Sequence, residues 1–220
     1  MKVDKKNQSL KINEIFKSIQ GESTQAGLQC VFIRLSYCNL RCTHCDTEYA
    51  FHDGKTMKID DIIEQIKSYN IKTVEVTGGE PLLQKNCITL LRKLLDTNYN
   101  VMLETSGSIS LRDVPKNVKK IVDFKCPSSN MSKHNKWSIL EDIDKSDEIK
   151  FVIGDLEDYN WAKSKINKFN LTTKATILFS PVFESMILQD LAEWIIRDNI
   201  DVRLQMQMHK YIWDPDKRAV

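Results

Sequence analysis

Short apolar runs alternate along the chain with stretches in which apolar residues recur every three or four positions. The short runs are rich in Val, Ile and Phe, and they predict β-strands at residues 29–36, 73–77, 101–104, 121–124, 149–153, 175–179 and 202–206. The spacing of three and four predicts helices near residues 59–66, 82–95, 159–169 and 188–196.

This alternation is typical of parallel βαβ units, whose strands are joined by right-handed crossovers. The predicted strands are fewer than the eight that close a full barrel. We therefore predict an α/β fold, a partial (βα)6-type TIM barrel with an open side. No linker, low-complexity tract or internal repeat interrupts the pattern, so we expect residues 1–220 to form a single domain.

Composition narrows the class of partner. The chain has 32 basic and 30 acidic residues and a net charge of +2, which gives no electrostatic reason to expect nucleic acid or an anionic membrane. A small molecule is the expected partner. The N-terminus is polar and leads into no apolar segment of a signal peptide, and no run reaches the length of a membrane helix. We expect a cytosolic protein, in which thiols stay reduced.

Three cysteines form the pattern C-x3-C-x2-C at Cys38, Cys42 and Cys45, directly after the first predicted strand. Thiolates are soft ligands that suit zinc, copper(I) or iron-sulfur clusters. Three thiolates without an evident fourth favour a [4Fe-4S] cluster that keeps one iron free of protein ligands. An iron without a protein ligand can bind another molecule, which indicates a catalytic role rather than a structural one.

Other readings of these cysteines stay open from the residues alone. A structural zinc site would need a fourth ligand, which His44 or His52 could supply. The three cysteines could also be ordinary buried thiols, as we expect of the isolated Cys30 and Cys87.

Further polar residues follow the next three predicted strands, at 77–81, 104–108 and 123–127. The carboxyl ends of parallel strands lie on one rim of a barrel, where active sites form. The Gly78-Gly79 pair permits close approach of the backbone to a ligand. These segments and the cysteines therefore predict one active site.

The cysteine pattern, together with Gly-Gly-Glu-Pro at 78–81, resembles the radical S-adenosylmethionine superfamily. The resemblance implies that the free iron chelates the amino and carboxylate groups of S-adenosylmethionine. It also implies that a reduced cluster cleaves a carbon-sulfur bond to give a 5′-deoxyadenosyl radical, which abstracts a hydrogen atom from the substrate.

The resemblance extends over almost the whole chain. Residues 14–23, 31–35, 45–47 and 213–220 are similar to 7-carboxy-7-deazaguanine synthases, which rearrange 6-carboxy-5,6,7,8-tetrahydropterin with loss of ammonia on the way to 7-deazapurines such as queuosine. This implies a Mg2+ requirement, a homodimer and an external electron donor such as flavodoxin or ferredoxin. An activase of a glycyl-radical enzyme, an iron-sulfur electron carrier and a zinc-binding module are the alternative functions.

The family's site residues can be carried onto this sequence. The cluster ligands would be Cys38, Cys42 and Cys45, and Thr47 would bind Mg2+. The S-adenosylmethionine site would comprise His44, Cys45, Asp46, Gly79, Glu80, Ser106, Asp123, Phe124, Lys125 and Ser180. The pterin site would comprise Ile19, Gln20, Gly21, Glu22, Arg34, Thr77 and the C-terminal Val220.

Two positions depart from the family pattern. Ser23 follows Glu22 where many members carry Gly, so the bend there is expected to differ. Ser180 precedes Pro181 where a Gln is common, which places a cofactor contact at that position in question. His209 and Lys210 could approach the site from the last predicted strand, although a structural histidine fits as well.

Overall fold

A computed structural model of the chain describes residues 8–220. The polar N-terminal stretch, in which no signal peptide is predicted, lies outside the described residues except for Gln8. The strands are β1 (Ser9–Ile19), β2 (Gln29–Leu35), β3 (Lys55–Lys58), β4 (Thr73–Gly78), β5 (Asn100–Thr105), β6 (Lys119–Asp123), β7 (Glu148–Ile153), β8 (Thr176–Pro181) and β9 (Arg203–Leu204). The helices are α1 (Ile59–Lys67), α2 (Cys87–Asp96), α3 (Leu156–Phe169), α4 (Leu188–Asp198) and α5 (His209–Ile212).

The nine strands of the described range form one sheet in the order β3-β1-β2-β4-β5-β6-β7-β8-β9. From β2 to β9 each neighbouring pair is parallel, whereas β1 pairs antiparallel with both β2 and β3. The sheet is open, because its two edge strands, β3 and β9, do not pair. The predicted partial barrel with an open side is confirmed.

Six of the seven predicted strands match strands of the sheet closely, but two predicted elements are wrong in part. The strand predicted at 202–206 is reduced to β9, because the chain then turns inward and Gln205 points its side chain towards Ser23 and Glu22. The helix predicted at 82–95 begins only at α2. Gln84 has an extended backbone, and its side-chain amide forms hydrogen bonds with the Lys11 backbone. A 3-10 turn at Pro81–Leu83 is therefore separated from α2.

Strands β1 and β3 were not among the predicted elements. In β1 the alternation of apolar and polar residues is broken at Asn13-Glu14 and at Lys17-Ser18, and β3 has no buried residue, so neither shows a clear strand pattern. The two connections between β5 and β7 contain only loops and 3-10 turns where a regular βα barrel would have helices.

Side chains alternate between the two faces of the parallel strands, with a period of two. One face packs against the helices and forms the large core, which includes Val31, Ile33 and Leu35 of β2. The other face lies inside the half-barrel. There β2 places Phe32, which stacks on Phe16 of β1 with 5.0 Å between ring centroids.

None of the helices within residues 8–220 combines the length and the apolar character that crossing a bilayer needs.

Candidate functional site

A cavity of about 680 Å3 occupies the inside of the half-barrel and opens at the carboxyl ends of the strands. It brings together most of the residues predicted from the sequence to form a site. Those that line it are Ile19, Gln20, Gly21, Glu22, Arg34, Cys38, Cys42, His44, Cys45, Asp46, Thr47, Thr77, Gly79, Ser106, Asp123, Lys125 and Val220. Their roles stay predictions. Glu80, Phe124 and Ser180 do not line the cavity.

The three cysteines of the loop after β2 lie half-buried at one wall of this cavity, and none is in a disulfide. Burial raises the pKa of the Cys38 and Cys42 thiols and raises the pKa of Cys45 to about 11. The donor set is therefore three free thiols facing one cavity. That set fits a cluster with one iron left for another ligand, and binding would release the thiol protons.

The Gly78-Gly79 turn after β4 packs directly on the cysteine loop. A Cβ on Gly79 would lie 2.2 Å from the carbonyl oxygen of Tyr37 and 2.9 Å from Cys38 Cβ. The backbone N–H of Glu80 donates to the same Tyr37 oxygen at 2.7 Å. Only glycine leaves room for this contact, which explains why the two motifs occur together in the sequence.

Glu80 lies beneath the cavity wall and is fully buried. Its carboxylate accepts hydrogen bonds from Thr105 Oγ1 at 2.9 Å and from Ser106 N and Oγ at 2.8 and 2.6 Å. It thus ties the turn after β4 to the end of β5. Its predicted contact with the cofactor stays a prediction.

The other two residues outside the lining are also buried. The Phe124 ring stacks on Trp137 with centroids 4.4 Å apart, on the helix side of the sheet. Ser180 is 1% exposed and lies in β8, paired with Val152 of β7. Neither side chain reaches the cavity surface.

Asp123, at the end of β6, supplies an unused acceptor at the cavity wall. Its Oδ2 accepts a hydrogen bond from Lys125 Nζ at 2.7 Å. Its Oδ1 is buried and has no hydrogen-bond partner in the part of the chain that the structure describes. A buried oxygen without a partner is costly, so this atom fits a hydrogen-bond donor supplied by a bound molecule.

A group of four ionisable side chains, the Lys150 cluster, forms the cavity floor, and its members Lys150 and Glu75 were not among the residues predicted from the sequence. It consists of Lys150, Glu22, Glu104 and Glu75. Lys150 Nζ bonds Glu22, and it bonds Glu104 Oε1 at 3.0 Å. Although burial favours the neutral amine, Glu104 and Glu22 hold the pKa of Lys150 well above its usual range.

Glu75 and Glu104 face the cavity from β4 and β5 with few partners of their own. Gln20 Nε2 donates to Glu75 Oε2 at 2.5 Å, and Thr77 Oγ1 donates to Glu104 Oε2 at 3.2 Å. Burial, and then the neighbouring carboxylates, raise the pKa of Glu75 well above its usual range. Gln20 also accepts from the Glu22 backbone, so its amide is fixed on both sides.

The raised pKa of Glu75 predicts a pH-dependent stability. The folded protein keeps a proton on Glu75 that the unfolded chain releases, so this group favours folding at low pH and progressively less as pH rises above the usual glutamate range. We expect Glu75→Gln to raise the urea midpoint of unfolding at pH 8 and to change it little at pH 4. Equal effects at both pH values would contradict the assignment.

The side chain of Arg34 on β2 forms a salt bridge with Glu14 on β1. Its Nε donates to Glu14 Oε1 at 2.8 Å, and Tyr49 Oη donates to the same oxygen at 3.0 Å. Among residues 8–220 the two terminal nitrogens of this guanidinium have no hydrogen-bond partner, so they are available to a ligand. The C-terminal tail reaches this wall, because the Arg218 guanidinium lies 3.6 Å from the Tyr49 ring centroid.

The loop between β1 and β2 bends sharply at Ser23, which takes a φ of 64°. This left-handed conformation favours glycine and costs an L-residue roughly 1 kcal/mol. The bend therefore stays compatible with the family pattern despite the serine. The Ser23 N–H donates to Gln205 Oε1 at 2.7 Å, which fastens the loop to the segment after β9.

His209 and Lys210 approach the cavity from α5 rather than from the last strand. A Cβ on Gly21 would lie 2.3 Å from His209 Nδ1, so the imidazole packs directly on that glycine. Lys210 Nζ lies 3.6 Å from Asp46 Oδ2. Thr47 Oγ1 donates to the other oxygen of Asp46 at 2.7 Å.

Three comparisons with known proteins agree with this geometry. The profile of the family described as "Radical SAM superfamily" matches residues 32–132. The 7-carboxy-7-deazaguanine synthase of Chlorobaculum tepidum is 44% identical over 96% of this chain and 97% of its own length. That of Koribacter versatilis is 40% identical over 96% of this chain and 100% of its own length.

The solved structures show the fold. The crystal structure of QueE from Escherichia coli matches 95% of this chain and 100% of its own, with a TM-score of 0.78 and 22% identity. Streptococcus suis SuiB bound to precursor peptide SuiA matches 77% of this chain and 46% of its own, with a TM-score of 0.58 and 14% identity.

Proposed function

This chain belongs to the 7-carboxy-7-deazaguanine synthases within the radical S-adenosylmethionine superfamily, and we propose that it converts 6-carboxy-5,6,7,8-tetrahydropterin to 7-carboxy-7-deazaguanine with loss of ammonia. The single observation that supports the substrate is the cavity: three free thiols lie at one wall, and at another lies the Arg34 guanidinium, whose two terminal nitrogens have no partner among the described residues. The thiols fit an iron-sulfur cluster, and the guanidinium fits the carboxylate of the substrate.

The cofactors are a [4Fe-4S] cluster and S-adenosylmethionine. When bound, they supply one-electron chemistry that removes a hydrogen atom from the substrate. Cys38, Cys42 and Cys45 would hold the cluster. Asp123 Oδ1, which has no partner among the described residues, would accept a hydrogen bond from the cofactor. The Gly79 backbone, which lines the cavity beside Cys38, would lie next to the cofactor.

Residues of β1, β2 and the loop between them would orient the pterin. Gln20 has its amide fixed by Glu75 and by the Glu22 backbone, so it presents one defined edge to the ring. Arg34 would bind the substrate carboxylate with its terminal nitrogens. The remaining proposed contacts of the pterin are Ile19, Gly21, Thr77 and Val220.

Thr47 is the proposed protein ligand of Mg2+. Its hydroxyl oxygen lies 2.7 Å from Asp46 Oδ1, so two oxygen donors stand side by side at the cavity edge. Mg2+ usually keeps several waters and takes few protein oxygens. This pair is consistent with such a site.

Several properties of the whole molecule belong to the same proposal. One sheet extends from β3 to β9, which supports a single domain, and free thiols support a cytosolic location. Ile187, which directly precedes α4, and Ile196, in its last turn, are 64% and 77% exposed, which supports a homodimer that covers this helix. Light scattering on the purified protein would test the dimer.

The alternative functions fit this cavity less well. An activase of a glycyl-radical enzyme must admit a segment of another protein. Here the C-terminal tail, residues 215–220, lines the cavity and charged side chains form its floor. An iron-sulfur carrier or a zinc module would need no such pocket.

Anaerobic reconstitution tests the proposal directly. We expect roughly four irons per chain and, after reduction, conversion of carboxytetrahydropterin to the deazapurine chromophore in the presence of S-adenosylmethionine and Mg2+. Cofactor cleavage without any deazapurine would contradict the substrate. Tight zinc binding without cofactor cleavage would contradict the whole assignment.

Arg34→Ala is expected to weaken substrate binding specifically. Removing a charge-assisted pair costs about 1.5–3 kcal/mol, so the KM for the pterin should rise about 10- to 100-fold while cofactor cleavage without substrate persists. Steady-state kinetics measure both. Arg197→Ala, which removes an exposed arginine paired with Asp198, is the matched control. An unchanged KM in Arg34→Ala would refute the carboxylate contact.

A further inference from the structure

The C-terminal tail, residues 215–220, lies between the cavity and solvent. All six of its residues line the cavity, and all but the last are exposed. Ala219 takes a φ of 59°, a left-handed conformation that is unfavourable for alanine, and the less exposed Val220 follows it. The tail therefore covers part of the space that the pterin would occupy.

Arg218 fastens this tail to the rest of the protein. Its guanidinium lies 3.6 Å from the Tyr49 ring centroid, in cation–π contact, and its Nη2 donates to Asn13 Oδ1 at 3.3 Å. Asn13 is itself fixed, because its Nδ2 donates to the backbone oxygens of Tyr49 and Asp53 at 3.4 and 3.2 Å. Within residues 8–220 no other side chain of the tail forms a hydrogen bond or an ion pair. The tail is thus held mainly by one residue.

Tyr49 connects Arg218 to the wall that faces the substrate. Its Oη donates to Glu14 Oε1, the oxygen that also accepts the hydrogen bond from Arg34 Nε. The Arg34 guanidinium lies 5.9 Å from the same Tyr49 ring centroid, so one ring lies within cation–π reach of both arginines. An unbroken series of contacts leads from Arg218 through Tyr49 and Glu14 to the guanidinium proposed to bind the substrate carboxylate.

Resting on the proposed function, we infer that Arg218 is a positioning residue, which holds the tail closed over the pterin and keeps Arg34 aligned with the substrate carboxylate through Tyr49. The Arg218 guanidinium is already engaged by the Tyr49 ring and Asn13, so it acts through these contacts. Closing a segment over a small ligand excludes water and holds the ligand in one geometry.

A role in the stability of the whole protein is the alternative for Arg218, and the structure gives it little support. Among the described residues, none from the tail belongs to either hydrophobic core cluster. A segment with exposed residues and few fixed contacts opens locally at low cost, while the rest of the fold stays intact. Loss of the Arg218 contacts should therefore open the tail without unfolding the protein.

Digestion of the reconstituted full-length protein with carboxypeptidase Y measures opening of the tail and requires no turnover. Release of Val220 and Ala219, followed by mass spectrometry, tracks the population of the open form. We expect Arg218→Met to release them about tenfold faster than the wild type, with an unchanged urea midpoint of unfolding. The matched control is Arg112→Met, which removes an exposed arginine outside the cavity lining and should behave as the wild type.

Steady-state kinetics with carboxytetrahydropterin test the positioning role. Arg218→Met should raise KM about tenfold with a smaller change in kcat, and Arg218→Lys, which keeps the charge, should recover part of the loss. In a Tyr49→Leu background, which lacks the ring, Arg218→Met should have little further effect on KM. Saturating pterin should slow release of the terminal residues in the wild type but much less in Arg218→Met.

Equal release rates for Arg218→Met and the wild type would overturn the inference that Arg218 holds the tail. An unchanged KM in Arg218→Met, or effects of Arg218→Met and Tyr49→Leu that simply add, would overturn its action on Arg34. If the release rates change as expected but even the wild type forms no deazapurine, the hold of Arg218 on the tail stands and the proposed substrate fails.

Discussion

Cys42→Ala is expected to abolish both the iron-sulfur cluster and turnover. The loop offers three thiols to the cluster, and Cys42 is the middle one, half-buried at the cavity wall. With two thiolates left, a second iron would lack its protein ligand, and alanine cannot replace a soft sulfur donor. Iron and sulfide content after anaerobic reconstitution, together with product formation, measure the effect.

The matched control is Cys87→Ala, which removes a fully buried thiol on α2, away from the cavity. It should retain the cluster and most of the activity, at the cost of about 1 kcal/mol of stability from the small void. A full complement of iron in Cys42→Ala would refute its assignment as a ligand.

Lys150→Met is expected to have the largest effect on stability. Lys150 is 5% exposed and is the one cation that the described residues place against both Glu22 and Glu104. Removing one partner of a buried ion pair leaves an uncompensated charge and costs about 3–5 kcal/mol. The variant should also lose substrate turnover, because Glu22 and Glu104 line the cavity.

The pH dependence of the Lys150→Met variant distinguishes lost charge from lost packing. Lys150 lowers the pKa of the Glu104 carboxyl, which burial raises, so without the ammonium this pKa rises further above its usual range in the folded state. The variant therefore takes up protons on folding, and its deficit relative to wild type should shrink as pH falls and grow as pH rises. Urea unfolding at pH 5 and pH 8 measures this.

Lys163→Met removes a half-exposed lysine paired with Asp198 and should cost no more than about 1 kcal/mol. Lys150→Arg, which keeps the positive charge, should recover part of the stability lost in Lys150→Met. A deficit in Lys150→Met that does not change with pH would indicate packing alone.

Most regular elements could be predicted from the sequence because the pattern that specifies them is local. Ile59, Ile62, Ile63 and Ile66 recur at helical spacing and form the buried face of α1. The apolar runs of β4, β7 and β8 are short and strongly buried. Strand β1 escaped prediction because it lies at the antiparallel margin of the sheet, where fewer of its side chains are buried.

The cofactor end of the site could also be predicted from the sequence. The three cysteines lie close together in the chain, and the Gly78-Gly79 pair indicates by itself that the backbone approaches another group closely. The structure adds the reason for their pairing, which is the contact of Gly79 with the Tyr37 carbonyl.

The Lys150 cluster could not be predicted in this way. Glu75 and Lys150 are each the one charged residue within an apolar strand pattern, and such a residue is normally interpreted as solvent-exposed. The available signal was the alternation of side chains along a strand: Glu75 lies two positions from Thr77 on β4, Lys150 lies two positions from Val152 on β7, and both neighbours line the cavity.

The sequence by itself determined the order of strands and helices, the three-thiol loop and the resemblance to a family, because each depends on residues near one another in the chain. Only the tertiary structure decided what those residues face. The curvature of seven parallel strands into a half-barrel brings Glu22, Glu75, Glu104 and Lys150 from four separate segments together at the floor of one cavity. Side-chain convergence over such sequence distances is set by sheet register and strand order, which no local pattern encodes.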